Sequence, residues 1–282
     1  MRLENRVAII TGAGQGIGRA IALAYAREGA KLSLASRTLS DLEETASLAG
    51  ELGAETLIVP TDVSQQAQVE EMVRHTIERY STVDILVNNA AITGPVGLLW
   101  EDDPSSWIQT IHVNLIGTYL CCRSVIPVML RNNFGKIINV TSSVAFLGDT
   151  PYRPLSKYRH VTAYFSGKAG QVQMTELLSY QLAGRNIQVN AMQPSGITRM
   201  VQRLRDRHEE LGEADVVQRI DSVGGRAAEI IDRSAELAVF LASAASGNLS
   251  GRLLWYGEDF HSLPIDEIMA SGDAYMLRRV EL

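Results

Sequence analysis

An alternation constrains this chain more than any other feature. Short apolar runs rich in β-branched residues take turns with longer stretches whose apolar residues recur at helical spacing. "RVAIITG", "KLSLAS", "ETLIVPTDV", "VDILVNNA", "GKIINVTSS", "NIQVNAMQPSG" and "GRLLWYG" read as strands in chain order. Between them lie helical patterns such as "GRAIALAYAREGA", "LSDLEETASLAGELGA" and "AYFSGKAGQVQMTELLSYQLAGR". Strands that are apolar throughout, each followed by a helix, call for a parallel sheet covered on both faces.

The predicted fold is therefore α/β, a single doubly wound, Rossmann-like domain over residues 1–282. Its sheet should have seven mainly parallel strands. A charge-rich helical region at about 199–228 is read as cover for a substrate, and about 258–282 as a C-terminal extension. In such sheets ligands bind beyond the carboxyl ends of the strands, so the residues just after each strand carry most weight.

Composition narrows the class. The chain is 46% hydrophobic and 21% charged with a net charge of −6, which invites neither nucleic acid nor an anionic membrane. No apolar run reads as a membrane span, and the N-terminus enters a strand pattern directly, without a signal-peptide pattern. The two cysteines, Cys121 and Cys122, are adjacent and cannot build a disulfide framework or a metal cage. They are expected to be packing residues in a reducing compartment, taken to be the cytoplasm.

"TGAGQGIG" sits between the first strand and the first helix, with Gly12, Gly16 and Gly18 as GxxxGxG. Glycines permit a tight turn and close backbone approach. The helix N-terminus then offers free N–H groups to a pyrophosphate. Gly12, Gln15, Gly16, Ile17 and Gly18 are the predicted cradle. At the end of the second strand an acid would select NAD and an arginine NADP. Here Ser36 and Arg37 stand there, and a guanidinium fork suits a 2′-phosphate. NADP(H) is the preferred cofactor, with NAD(H) the alternative.

"TPYRPLSKYRHVTAYFSGK" holds three tyrosines. A tyrosine serves as acid or base near neutrality only if its pKa is lowered, which a neighbouring cation does. Residues four apart share a helix face. Of Tyr152, Tyr158 and Tyr164, Tyr164 alone has a lysine four on, Lys168. Ser142 and Ser143 end the fifth strand, "NNA" ends the fourth, and Asn114 lies in an otherwise apolar helix where its amide needs a partner.

Taken together, TGxxxGxG at Thr11–Gly18, "TDV" at 61–63, "NNA" at 88–90, Asn114, Ser142 and Tyr164–Lys168 resemble the classical short-chain dehydrogenase/reductase family, from about Arg6 to Gly257. The resemblance implies interconversion of a ketone or aldehyde and an alcohol by hydride transfer. Tyr164 would be the general acid/base. Lys168 would lower its pKa and hold the nicotinamide ribose, and Ser142 would bond the substrate oxygen. Ser143 is a rival, but the family serine falls three after the strand asparagine, here Asn139. Asn114 would bind a water linking Lys168 to solvent. Asp62 and Val63 would meet the adenine, and Asn88, Asn89 and Ala90 would line the ribose. Pro194, Ile197 and Thr198 would close over the nicotinamide. A homotetramer or homodimer is implied, with helices around 104–130 and 162–184 packing across subunits. A nucleotide-binding regulator on the same fold is disfavoured because Tyr164 and Lys168 are both present.

The chain departs from the family pattern in places. Ala91 replaces the glycine of NNAG, and Pro194 is followed by Ser195 before Gly196. Ser142 and Tyr164 lie unusually far apart. The extra residues form a basic loop at about 147–160, with Arg153, Lys157, Arg159 and His160. That loop is expected to be solvated or to meet another subunit, or else to receive an anionic substrate group, with His160 on the surface.

Overall fold

The computed structural model describes residues 1–142, 160–222 and 224–271. The basic loop therefore lies outside the described residues apart from His160, as do Ser143 and the last part of the C-terminal extension. Alternation takes shape as β1 (Val7–Thr11), α1 (Gly16–Arg27), β2 (Lys31–Ser36), α2 (Leu39–Glu51), β3 (Thr56–Pro60), α3 (Gln66–Tyr80) and β4 (Ile85–Asn88). Next come α4 (Pro104–Ile111), a π-turn (His112–Ile116) and α5 (Gly117–Asn132), which stack into one long rod. β5 (Gly135–Val140), α6 (Thr162–Gln181) and β6 (Ile187–Gln193) follow. The chain continues through α7 (Arg199–Glu210), α8 (Ala214–Ser222), α9 (Ala227–Ala242), β7 (Leu253–Trp255) and α10 (Ile265–Ala270).

The seven strands form one sheet in the order β3-β2-β1-β4-β5-β6-β7, and every pairing is parallel. Successive strand residues face opposite sides, and both sides are buried. Ala8, Ile10, Leu34 and Val87 pack with Tyr25 and Phe240 on the α1/α9 side. Ile9, Ala35, Leu86 and Ile137 pack with Met72, Val125 and Met129 on the α3/α5 side. The chain winds outward from β1 to β3, then returns to β4 on the other flank of β1. The order therefore reverses between β1 and β4, and a crevice opens at their carboxyl ends.

By length and composition the rod Pro104–Asn132 could cross a membrane, against the sequence expectation, but 56% of its most apolar window is buried inside the protein. It serves here as a core helix. The described part of the C-terminal extension folds back on its own core. Phe260 stacks against Phe240, and Arg252 donates to the carbonyls of Ile268 and Ser271.

The β1–α1 turn is packed against backbone with no room to spare. A Cβ on Gly18 would run into the carbonyl oxygen of Gly12 and into the amide of Asn89. Gly18→Ala is expected to cost about 1–3 kcal/mol through overpacking. A lower urea midpoint, together with weaker dinucleotide binding by fluorescence titration, would establish this.

Candidate active site

The turn after β1 is built for close approach. Gly12 and Gly16 have φ of 65° and 55°, a region that favours glycine. Gln15 precedes α1 in extended conformation with no side-chain cap, and the first turn carries no acid. The helix N–H groups and the positive dipole end therefore face the crevice unused. Arg19 braces the turn from behind. Its Nε donates to the Gly14 carbonyl at 3.1 Å, and its guanidinium grips the Glu44 carboxylate at 2.7 Å. The sequence reading missed Arg19, whose position one turn into the helix was the available signal.

Thr11 and Asn89 join the two sides of the switch point. The Thr11 hydroxyl accepts the N–H groups of Asn89 and Ala90 at 3.0 and 3.1 Å. Asn89 Nδ2 returns bonds to the carbonyls of Thr11 and Gly12. Asn88 plays a different part from the one expected. It is buried, donates to Asn139 Oδ1 at 2.9 Å, and does not line the crevice. Gly18 is likewise absent from the lining and acts through packing.

The crevice is a cavity of about 430 Å³. Gly12, Gln15, Gly16 and Ile17 of the β1–α1 turn line it, as do Ser36 and Arg37 after β2 and Asp62 and Val63 after β3. Asn89 and Ala90 after β4 belong to the same lining. Tyr164, Lys168 and Ser142 line it too, as do Pro194, Ile197 and Thr198, the last lying against Gly16. Thr198 also caps α7, its hydroxyl accepting the Val201 N–H. Sequence reasoning did not find Met200, Val201 and Leu204 of α7 or Ile220 of α8, which give the crevice an apolar cover. The one-face spacing of the α7 residues would have marked them.

Tyr164 and Lys168 sit one turn apart on α6 as the spacing predicts. Lys168 Nζ lies 5.8 Å from the Tyr164 ring centroid and donates to the Val140 carbonyl at 2.7 Å. Burial pushes the lysine pKa down to about 7. Burial also raises Tyr164, against a smaller opposing effect from its hydrogen bond with Ser142. The expected lowering of the tyrosine by its lysine does not appear: desolvation raises the phenol, and only Ser142 opposes it.

Asn114 is fully buried in the π-turn, and its amide spans the backbone of Ile92. Oδ1 accepts from the Ile92 N–H and Nδ2 donates to the Ile92 carbonyl, both at 2.9 Å. The side chain thereby holds the strand-four loop, and it does not line the crevice. His160 also departs from expectation. It is 7% exposed and lies 3.1 Å from Glu213 rather than on the surface.

Comparison with known proteins settles the class. A family model for the short chain dehydrogenases matches residues 6–209. The chain belongs to the short-chain dehydrogenase family. It is 34% identical over 257 residues to the 3-oxoacyl-[acyl-carrier-protein] reductase FabG of Thermotoga maritima, covering 90% of this chain and 97% of the relative. It is 35% identical over 270 residues to 1,6-dihydroxycyclohexa-2,4-diene-1-carboxylate dehydrogenase of Acinetobacter baylyi, covering 91% and 96%. The crystal structure of actinorhodin polyketide ketoreductase with NADPH superposes with a TM-score of 0.79 at 27% identity, covering 92% of this chain and 98% of that one. This short-chain dehydrogenase is accordingly an oxidoreductase of CH–OH or carbonyl groups that uses a nicotinamide cofactor. The turn fits that cofactor: two left-handed glycines, an uncapped helix end and no first-turn acid are what a pyrophosphate requires.

Lys168 links pH to stability with a definite sign. Its folded pKa lies below the unfolded value, so between about pH 7 and 10.5 the unfolded chain binds more protons at this site. Lys168 therefore makes stability rise with pH across that window, by at most ~1.4 kcal/mol per unit. Urea unfolding of the ligand-free protein from pH 7 to 9.5 should show a shallower rise in Lys168→Met.

Proposed function

We infer that this enzyme is an NADP(H)-dependent reductase of a ketone or aldehyde, working in reverse as an alcohol dehydrogenase, with Tyr164 as general acid/base. The observation that carries this reading is the meeting of Tyr164, Ser142 and Lys168 at the lining of the crevice, with Ser142 hydrogen-bonded to Tyr164 and Lys168 Nζ 5.8 Å from its ring centroid. When bound, the reduced nicotinamide supplies the hydride. Everything else falls to the side chains.

Tyr164, kept protonated at neutral pH by burial, is ready to give its proton to a carbonyl oxygen as negative charge gathers there. Ser142, already hydrogen-bonded to Tyr164, is positioned to bond the same oxygen. Loss of the proton leaves a phenolate. Lys168, with a pKa of about 7, can meet it as a cation or pass on a proton. With the Asn114 amide occupied by Ile92, a relay water would meet a backbone carbonyl of the π-turn rather than that side chain. Met200, Val201, Leu204 and Ile220 exclude water from the reacting end and favour a substrate with an apolar body.

Ser36 and Arg37 support NADP(H). Both line the crevice, no acid stands at the end of β2, and the Arg37 guanidinium makes no ion pair among the described residues. Asp41, the acid at that end, lies 3.7 Å from Arg199, whose charge offsets it. The relative solved with NADPH agrees with this preference. Ile108, Ile116, Tyr119, Leu177 and Tyr180 are exposed on the α4–α6 side and support assembly with further copies there, as homodimer or homotetramer. Buried free Cys121 and Cys122 agree with a cytoplasmic, reducing setting.

A carbonyl panel followed by NADPH absorbance tests the chemistry. Tyr164→Phe should lower turnover by roughly 10²–10⁴-fold, and wild-type turnover in that variant overturns the assignment. Arg37→Ala should raise the Michaelis constant for NADPH by about tenfold or more while leaving NADH nearly unchanged, since a hydrogen-bonded charge contributes about 1.5–3 kcal/mol. A wild-type enzyme that prefers NADH would refute the cofactor preference.

A further inference from the structure

Beside the crevice, His160 meets two metal-binding side chains from much later in the chain, the sequence neighbours His208 and Glu213. His160 lies just ahead of α6, His208 in the last turn of α7, and Glu213 in the turn between α7 and α8. Glu213 Oε1 is 3.1 Å from His160 Nδ1, and Oε2 is 2.6 Å from His208 Nδ1. One ligand atom from each residue lies within 4.8 Å of the others. Both imidazoles are buried and His208 completely so, while Glu213 is partly buried.

Two imidazoles and a carboxylate are a donor set for borderline divalent cations, zinc above all. Bonds of about 2.0–2.1 Å to a tetrahedral ion place neighbouring ligand atoms about 3.3 Å apart. Both present contacts fall short of that by less than an ångström, so a small retreat of the Glu213 carboxylate would admit the ion. His160 also lines a second cavity together with Asp102, Arg207 and Leu211. Asp102 Oδ2 is buried there without a hydrogen-bond partner. Of the three ligands His160 alone opens to this cavity, and from that side an ion and a water as fourth ligand would enter.

We propose that His160, His208 and Glu213 bind a zinc-type divalent cation that pins α7 and α8, the cover of the crevice, to the start of α6. A long connection separates His160 from the neighbouring pair His208 and Glu213, so one ion would close a loop that is otherwise costly to order. Tyr164 follows His160 by one turn, and neither histidine lines the crevice. The ion would thus fix the start of α6 without touching the reacting atoms.

The test uses the full, untagged chain after chelator treatment, titrated with Zn²⁺ alone against a competing indicator. Elemental analysis gives the stoichiometry and a thermal melt the stability. One zinc per chain and a higher melting temperature are expected. His208→Ala and Glu213→Gln should each weaken binding by on the order of tenfold or more. Glu213→Gln preserves size and hydrogen-bonding capacity, so it remains informative if His208→Ala does not fold. Absence of stoichiometric zinc in the wild type overturns the site, and so does unchanged affinity in Glu213→Gln. Zinc binding without a rise in melting temperature overturns the pinning.

Discussion

The turn from β1 into α1 leaves no room for a side chain at Gly18, and the crevice depends on that lack of room. Only because α1 can lie against the Gly12 carbonyl does its N-terminus reach the carboxyl ends of β1 and β4. Gly12 and Gly16 supply the left-handed backbone that makes so short a path possible. Arg19 and Thr45 then fasten the turn, with Thr45 Oγ1 donating to the Ala13 carbonyl at 3.0 Å. A site for a charged dinucleotide is thus made from backbone, whose N–H groups cannot be neutralised or titrated away.

Around that turn, buried polar groups hold the reacting wall in register. Asn88 bonds Asn139 across β4 and β5, and Asn139 Nδ2 donates to Thr175 on α6 at 2.8 Å. Lys168 reaches the last residue of β5, and Asn114 ties the long rod to the loop after β4. Each of these groups would be costly if left unpaired, so the network admits one arrangement of α6 against the sheet. The same burial shifts both titratable groups on this face of α6, raising Tyr164 and bringing Lys168 down to about 7.

Much of this was legible beforehand because it is local. Strand and helix periods, the glycine turn and the Tyr164–Lys168 spacing each depend on neighbours within one element, and each appears where expected. Errors arose where a side chain's direction depended on distant chain. Asn88 and Asn89 are adjacent, yet one points into the sheet and the other reaches the crevice, since successive residues of an extended chain face opposite ways. The direction each takes follows from β4 lying between β1 and β5. Membrane-like hydropathy in Pro104–Asn132 was resolved by the sheet and helices that bury it.

By itself the sequence determined the doubly wound sheet, the cleft at its switch point and the placing of Tyr164 and Lys168 on one helix face, because these follow from periodicity and turn chemistry. Tertiary structure alone decided which polar residues face the crevice and which brace it, as with Asn114 turned to Ile92 and Gly18 acting through packing. It alone set the proton affinities, since these depend on how much water each group loses. And it alone brought His160 against the neighbouring pair His208 and Glu213, a juxtaposition that no spacing along the chain encodes.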